Sequence, residues 1–311
     1  MRHVLLAACL LAPAGALGAP ATEAAAVPSP QPHPFAYSLT QTVGGARYSG
    51  VGATYYGQIQ VLYPADGASR KIAASHALLK VRSFTQDTVQ YDNVIPGDTT
   101  VTSEVDQVDR QGGTPSRVPD AQAAIDTSPD RSTLLVQTDK GLALRPAAGG
   151  AATQLTTGYD SAGRFSPDGQ TVAFQRYIDH TYFAVFVINT DGTGLRQLTW
   201  VKQWDTGPVF SADGKRLLFT RLITNASYDV ADRGPNVLAM NVDGSHLRTV
   251  GAGTVTDWSD DGWILSLVKN PTTGVLQVAE RGAGIPGVQR IMTSNGVDAN
   301  AARFWVYSPP G

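Results

Sequence analysis

Side chains able to do chemistry are sparse in this chain, and their spacing sets several reactions aside. The five histidines, His3, His33, His76, His180 and His246, are too scattered to build a multi-histidine metal centre. No Gly-x-Ser-x-Gly elbow, His-Glu-x-x-His pair, phosphate-binding loop or dinucleotide-binding glycine pattern occurs. No metal and no cofactor is therefore expected. What remains is carboxylates and aromatic rings. Asp160 and Asp205 stand 45 residues apart, each near the head of a nearly identical segment. Such a pair has two readings. It binds a cation or a basic group, or it shapes turns by accepting backbone N–H bonds. Two carboxylates fall short of a Ca²⁺ site, which wants roughly six to eight oxygens. With Asp92, Asp179 and Asp229 they would also suit a carbohydrate-active enzyme, whose acid and base must lie roughly 5–10 Å apart.

The segments that carry these aspartates are repeats. Residues 159–169 read YDSAGRFSPDG and residues 204–214 read WDTGPVFSADG, with TVAFQR and KRLLFTR close behind. A weaker copy is DWSDDGWIL (257–265), and a worn one is DTSPDR (126–131) followed by STLLVQ. A second motif interleaves with the first: an apolar strand, Asp-Gly, then a polar strand. Its clearest copies are VFVINTDGTGLRQLT (185–199) and VLAMNVDGSHLRTV (237–250), with looser ones at 59–73, 104–118, 142–156 and 276–292.

These patterns are those of antiparallel hairpins. Asp-Gly favours tight turns because glycine accepts positive φ without a Cβ clash. The flanking runs are rich in Val, Ile, Leu, Phe and Thr at strand length. Val185 to Ile188 is apolar on both faces, as a strand sandwiched between neighbouring sheets requires. Residues 35–311 then divide into six units of about 46 residues. The expected fold is all-β: a six-bladed β-propeller of four-stranded antiparallel blades, with seven as the alternative count. The tail VDANAARFWVYSPPG is expected to add one strand to the first blade and close the ring.

The repeat Asp-x-x-Pro-x-Phe/Trp-Ser-Pro-Asp-Gly is matched by Asp205 to Gly214 except at Ala212, and by Asp160 to Gly169 except at Gly163. On these residues the chain resembles the TolB-like (WD40-like, PD40) repeat family. The resemblance covers residues 120–262. It implies a propeller that stands alone, without the N-terminal α/β domain of the family's namesake. It does not imply a partner, since propellers host binding, scaffolding and several chemistries.

In such a propeller the inter-strand connections fall on two faces. The short Asp-Gly hairpins take one. The longer connections, Phe84 to Asp98, Tyr177 to Phe183 and Leu222 to Pro235, take the other, together with Asp160 and Asp205. That face would carry Tyr91, Asp92, Tyr177, Asp179, His180, Tyr182, Tyr228, Asp229 and Arg233, and loops on a rigid scaffold are where binding concentrates. Trp200 and Trp204 flank the same junction and are expected to pack between units. The candidate ligand-binding set is Asp160, Asp205, Trp204, Tyr177, Asp179, His180, Tyr228, Asp229 and Arg233.

The N-terminus reads as an export signal. Arg2 precedes an apolar run from Val4 to Leu17, and Ala16-Leu17-Gly18 suits cleavage. Residues 1–18 are thus a signal peptide, 19–34 an Ala/Pro-rich linker, and 35–311 the propeller. Cys9, the single cysteine, lies inside the signal; lipidation there is the weaker alternative. No transmembrane helix is expected in the mature chain. The net charge of −2 gives no basic surface for nucleic acid. The expectation is a periplasmic or secreted, non-enzymatic propeller that grips a protein, peptide or glycan at its long-loop face.

Overall fold

The repeated turns dictate where the chain reverses. Ser166 Oγ donates to Asp168 Oδ1 (2.5 Å) and accepts from the Thr171 amide (2.9 Å), while Asp168 also takes the Gln170 amide (3.0 Å). Ser211 with Asp213 and Ser128 with Asp130 repeat this arrangement. Gly169, Gly214 and Gly244 sit at φ of 70°, 67° and 89°, as tight turns require.

The computed structural model describes residues 35–44, 54–63, 68–84, 87–96, 101–118, 124–224, 230–259, 262–282, 290–291 and 298–304. The signal, Cys9, the linker, Tyr228 and Asp229 lie outside the described residues. The first strands are β1 (Phe35–Gly44), β2 (Thr54–Tyr63) and β3 (Ala68–Ser75). A second group is β4 (Leu78–Phe84), β5 (Thr88–Pro96), β6 (Val101–Asp109) and β7 (Ser116–Arg117). The third is β8 (Ala124–Thr127), β9 (Thr133–Thr138), β10 (Gly141–Pro146) and β11 (Thr153–Gln154). The fourth is β12 (Asp160–Phe165), β13 (Thr171–Ile178), β14 (Tyr182–Asn189) and β15 (Arg196–Gln197). The fifth is β16 (Trp204–Phe210), β17 (Arg216–Thr224), β18 (Val230–Asn241) and β19 (Arg248–Ala252). The last are β20 (Thr254–Trp258), β21 (Trp263–Lys269), β22 (Leu276–Gly282), β23 (Arg290–Ile291) and β24 (Asp298–Phe304).

Each group is an antiparallel meander, and β24 pairs with β1, so the first meander reads β24-β1-β2-β3. The C-terminal strand therefore joins the N-terminal sheet, as the sequence of the tail suggests. The fourth and fifth meanders share one eight-stranded sheet through a parallel bridge between Phe183 and Trp204. Among the described residues there is no helix, so none long and apolar enough to cross a membrane.

The two-sided apolar strands divide their side chains between neighbours. Val185 and Val187 pack with Phe210, Leu217, Phe219 and Met240 of the fifth meander. Ala184, Phe186 and Ile188, on the other face of β14, pack with Leu135 and Leu142 of the third. Leu218, Val237 and Ala239 meet Val255, Trp258 and Ile264 of the sixth. From the third meander to the sixth the core is thus a series of layers between sheets, and the middle strands of the fourth and fifth meanders each serve two of them.

One expected loop is a strand. The span from Phe84 to Asp98 holds β5, paired with β4 and β6. Tyr91 is buried, and Asp92 lies mid-strand, opposite Lys80 and Val105. Burial, and then the charge of Asp106, raise the Tyr91 phenol to about 12. Neither residue stands on a long connection, because Val89 and Tyr91 alternate inward and draw the polar residues between them into the sheet.

Candidate functional site

The site forms where β13 turns into β14. Ile178 accepts the Thr181 amide (2.9 Å), and Asp179 and His180 both occupy the left-handed region, at φ of 47° and 52°. These are the backbone angles of a type I′ turn, where Asn-Gly is the usual occupant. The expected long connection from Tyr177 to Phe183 is therefore a tight hairpin with Tyr177 and Phe183 in register.

Aromatic rings fix this tip from both sides. His180 meets Tyr159 edge-on at 4.8 Å and Tyr177 at 5.6 Å; Tyr177 stacks on Phe183 at 4.6 Å, and Phe183 meets Trp204 edge-on at 5.5 Å. The Tyr177 hydroxyl donates to the His180 carbonyl (2.8 Å), and the Trp204 indole N–H donates to the Thr181 carbonyl (3.1 Å). With these polar tips satisfied inside the hairpin, Tyr177, Phe183 and Trp204 act as its frame. Tyr159 (66% exposed), Trp200 (73%) and Val201 (48%) present apolar surface, and His180 is exposed beside Tyr159. Trp200 does not pack between units as its sequence position suggests.

Asp160 and Asp205 lie close below, fully buried. Arg176 grips Asp160 in a bidentate pair, Nε to Oδ1 at 2.6 Å and Nη2 to Oδ2 at 2.8 Å. Arg221 holds Asp205 in the same way at 2.6 and 2.7 Å. Asp and Arg are register partners in both units, so each pair clamps the first strand of its meander to the second. The Arg176 guanidinium also lies over the Phe186 ring (4.9 Å) and the Phe174 ring (5.5 Å). Planar bidentate geometry uses the carboxylate oxygens well.

The sequence-predicted set thus divides. Tyr177, Asp179, His180 and Trp204 come together at one hairpin tip, with Asp160 and Asp205 buried beneath. Arg233 falls in β18, whose partner strand places Leu222 opposite Pro235. Sequence reasoning missed Tyr159, Trp200 as an exposed ring, and both arginines. A signal for the arginines existed: each stands sixteen residues after its aspartate, at the end of TVAFQR and of KRLLFTR. Among the described residues, no group of three or more His, Cys, Asp or Glu side chains is placed to hold a metal ion.

This is an all-β protein of stacked antiparallel meanders with an aromatic surface at one hairpin tip. No family model matches the chain. Among solved structures, TolB from Acinetobacter baumannii superposes with a TM-score of 0.66 at 12% identity, over 88% of this chain and 66% of its own length. A putative TolB from Agrobacterium tumefaciens gives a TM-score of 0.48 at 18% identity, over 71% of this chain and 91% of its own. The chain spans just under two thirds of the Acinetobacter protein. The likeness shows a TolB-like propeller fold.

Proposed function

We propose that residues 35–311 close into a six-bladed propeller, exported behind the signal at 1–18, that binds a polypeptide partner at the hairpin tip of its fourth blade. Six four-stranded meanders and the pairing of β24 with β1 support the ring. Packing runs from the first meander to the second, then from the third through the sixth, and from the sixth back to β24.

The observation that carries the binding reading is the exposed ring of Tyr159 set edge-on against the exposed His180 at the hairpin tip, with Trp200 and Val201 also exposed on the connection that leads into β16. Exposed aromatic rings carried on the turns of a rigid scaffold suit an interaction surface, and Trp and Tyr contribute heavily to protein interfaces. The turn beneath stores backbone strain at two non-glycine residues, and such strain concentrates at functional positions. The exposed charges on the turns that carry these residues, Asp179 and Lys202, cancel, as do Asp139 and Lys140 on the turn whose Lys140 carbonyl accepts the Gly158 amide. Binding should therefore depend little on salt.

The test joins capture to folding. Partners captured from envelope extract would be identified by mass spectrometry, purified and titrated against the wild type and the variants Tyr159→Ala and Trp200→Ala. Loss of affinity by about tenfold or more with an unchanged melting temperature is expected for a binding surface. Unchanged affinity in both variants would refute the site, and a glycan as the species retained would refute a polypeptide partner. An N-terminus at Ala19 in protein recovered from the host supports export; an intact Met1 removes it.

A further inference from the structure

At the end of β13 remote from His180 stand the Ser-x-Asp turns, and between those of the third and fourth meanders lies a cleft of about 400 Å³. Pro129, Leu144 and Phe165 give it an apolar floor; Asp130, Asp168 and Thr190 give it a polar rim. None of the residues lining it is basic.

The next joint along the chain shows a guanidinium against the carbonyl that corresponds to that of Thr190. Between the fourth and fifth meanders, Val242 occupies the position of Thr190: each donates its amide across the turn, Thr190 to Gln170 (2.9 Å) and Val242 to Lys215 (3.0 Å). There the protein supplies its own arginine. Arg196 Nη2 donates to the Val242 carbonyl (3.2 Å). Its charge also helps hold the neighbouring Asp243 carboxyl below its ordinary value, after the hydrogen bonds from Ser245 and the His246 charge. Arg196 is the register partner of Val187, and in the third meander the same register pairs Thr153 with Leu144. At the open joint, then, a short threonine stands where the next joint has an arginine.

We propose that this cleft is a docking site for an arginine side chain of a partner polypeptide. The aliphatic stem lies on Phe165, Leu144 and Pro129, and the guanidinium reaches Asp130, Asp168 and the Thr190 carbonyl. Arginine fits better than lysine because its planar fork can engage a carboxylate and a carbonyl at once while its stem covers apolar surface. Asp130 and Asp168 are both held in the ionised form, chiefly by the hydroxyls of Ser128 and Ser166. A polypeptide suits the cleft better than free arginine, whose α-carboxylate would face the same two aspartates.

The probe is acetyl-Ala-Arg-Ala-amide, titrated into the full chain while backbone amide shifts are followed by NMR. Shifts centred on Asp130, Gly169 and Thr190 are expected. The citrulline analogue, isosteric but uncharged, should bind at least about tenfold more weakly, and added salt should weaken the arginine peptide. Asp168→Asn should reduce affinity. Because that change also touches a turn, Thr153→Arg gives an independent arm: Thr153 is exposed, and its replacement installs the side chain that the next joint carries. This variant should fold normally and lose the peptide. Equal binding of arginine and citrulline peptides, or undiminished binding by Thr153→Arg, would overturn the site. Free L-arginine binding as tightly as the blocked peptide would overturn a polypeptide as its source.

Discussion

At Asp205 a carboxylate with no exposed surface is balanced by an arginine whose side chain is 13% exposed. Removing one member of a buried ion pair leaves the other desolvated and unmatched, which costs more than the pair contributes in place. Asp205→Asn and Arg221→Met should each destabilise by about 2–4 kcal/mol, somewhat under the fully buried limit because the arginine touches solvent. Urea melts measure this, and a loss below about 1 kcal/mol would return the carboxylate to the pool of ligand candidates. The sequence placed Asp160 and Asp205 at the heads of first strands and left their role open between structure and binding. The arginines that complete them were visible as a constant offset of sixteen. What that offset cannot supply is the side-chain path, since cross-strand neighbours become apparent only once register is known.

The elements were legible wherever a turn has its own chemistry. Ser-x-Asp-Gly announced its hairpins because serine, aspartate and glycine each satisfy a local need of the reversed backbone. The span from Phe84 to Asp98 misled because Asp92 and Asn93 favour turns in isolation, whereas here two flanking strands and a hydrogen bond from Asn93 Nδ2 to Asp106 (2.9 Å) absorb them. Gly163 departs from the repeat's proline for a packing reason: a Cβ there would lie 2.5 Å from Leu135 Cδ2 of the preceding meander. The turns also bring a pH dependence. Asp168 and Asp213 have carboxyls held below 3.8, first by the hydroxyls of Ser166 and Ser211 and then by backbone amides. A carboxyl whose pKa falls on folding adds stability above its unfolded value and loses it as pH drops through the folded one. These turns should therefore weaken below about pH 4. Ser166→Ala with Ser211→Ala removes the leading cause, so the gap in urea midpoint between pH 6 and pH 2.5 should narrow relative to wild type. An unchanged gap would show that the hydroxyls do not govern the titration.

For the whole molecule the decisive element is β24. Layers between neighbouring sheets give each meander an apolar face that it cannot bury alone, so a row of such units leaves two raw ends unless it closes. Pairing Phe35 with Phe304 and Tyr37 with Ala302 puts the last strand at the head of the first sheet, where β20, β21 and β22 of the sixth meander pack against it. If the units close into a ring, as proposed, the stability of both ends depends on seven residues, Asp298–Phe304. Ala302→Pro removes a backbone donor from this strand and should cost about 3 kcal/mol if it interrupts the ladder. In a closed ring the loss falls on the first and sixth meanders together. Amide exchange should accelerate in Ala36, Ile59, Ile264 and Val278, while Val185 and Leu217 in the fused fourth and fifth meanders stay protected. A uniform acceleration across all six units would show that the ring unfolds as one body. Acceleration limited to β1 would show that the sixth meander does not lean on β24, and the molecule would then be an open arc.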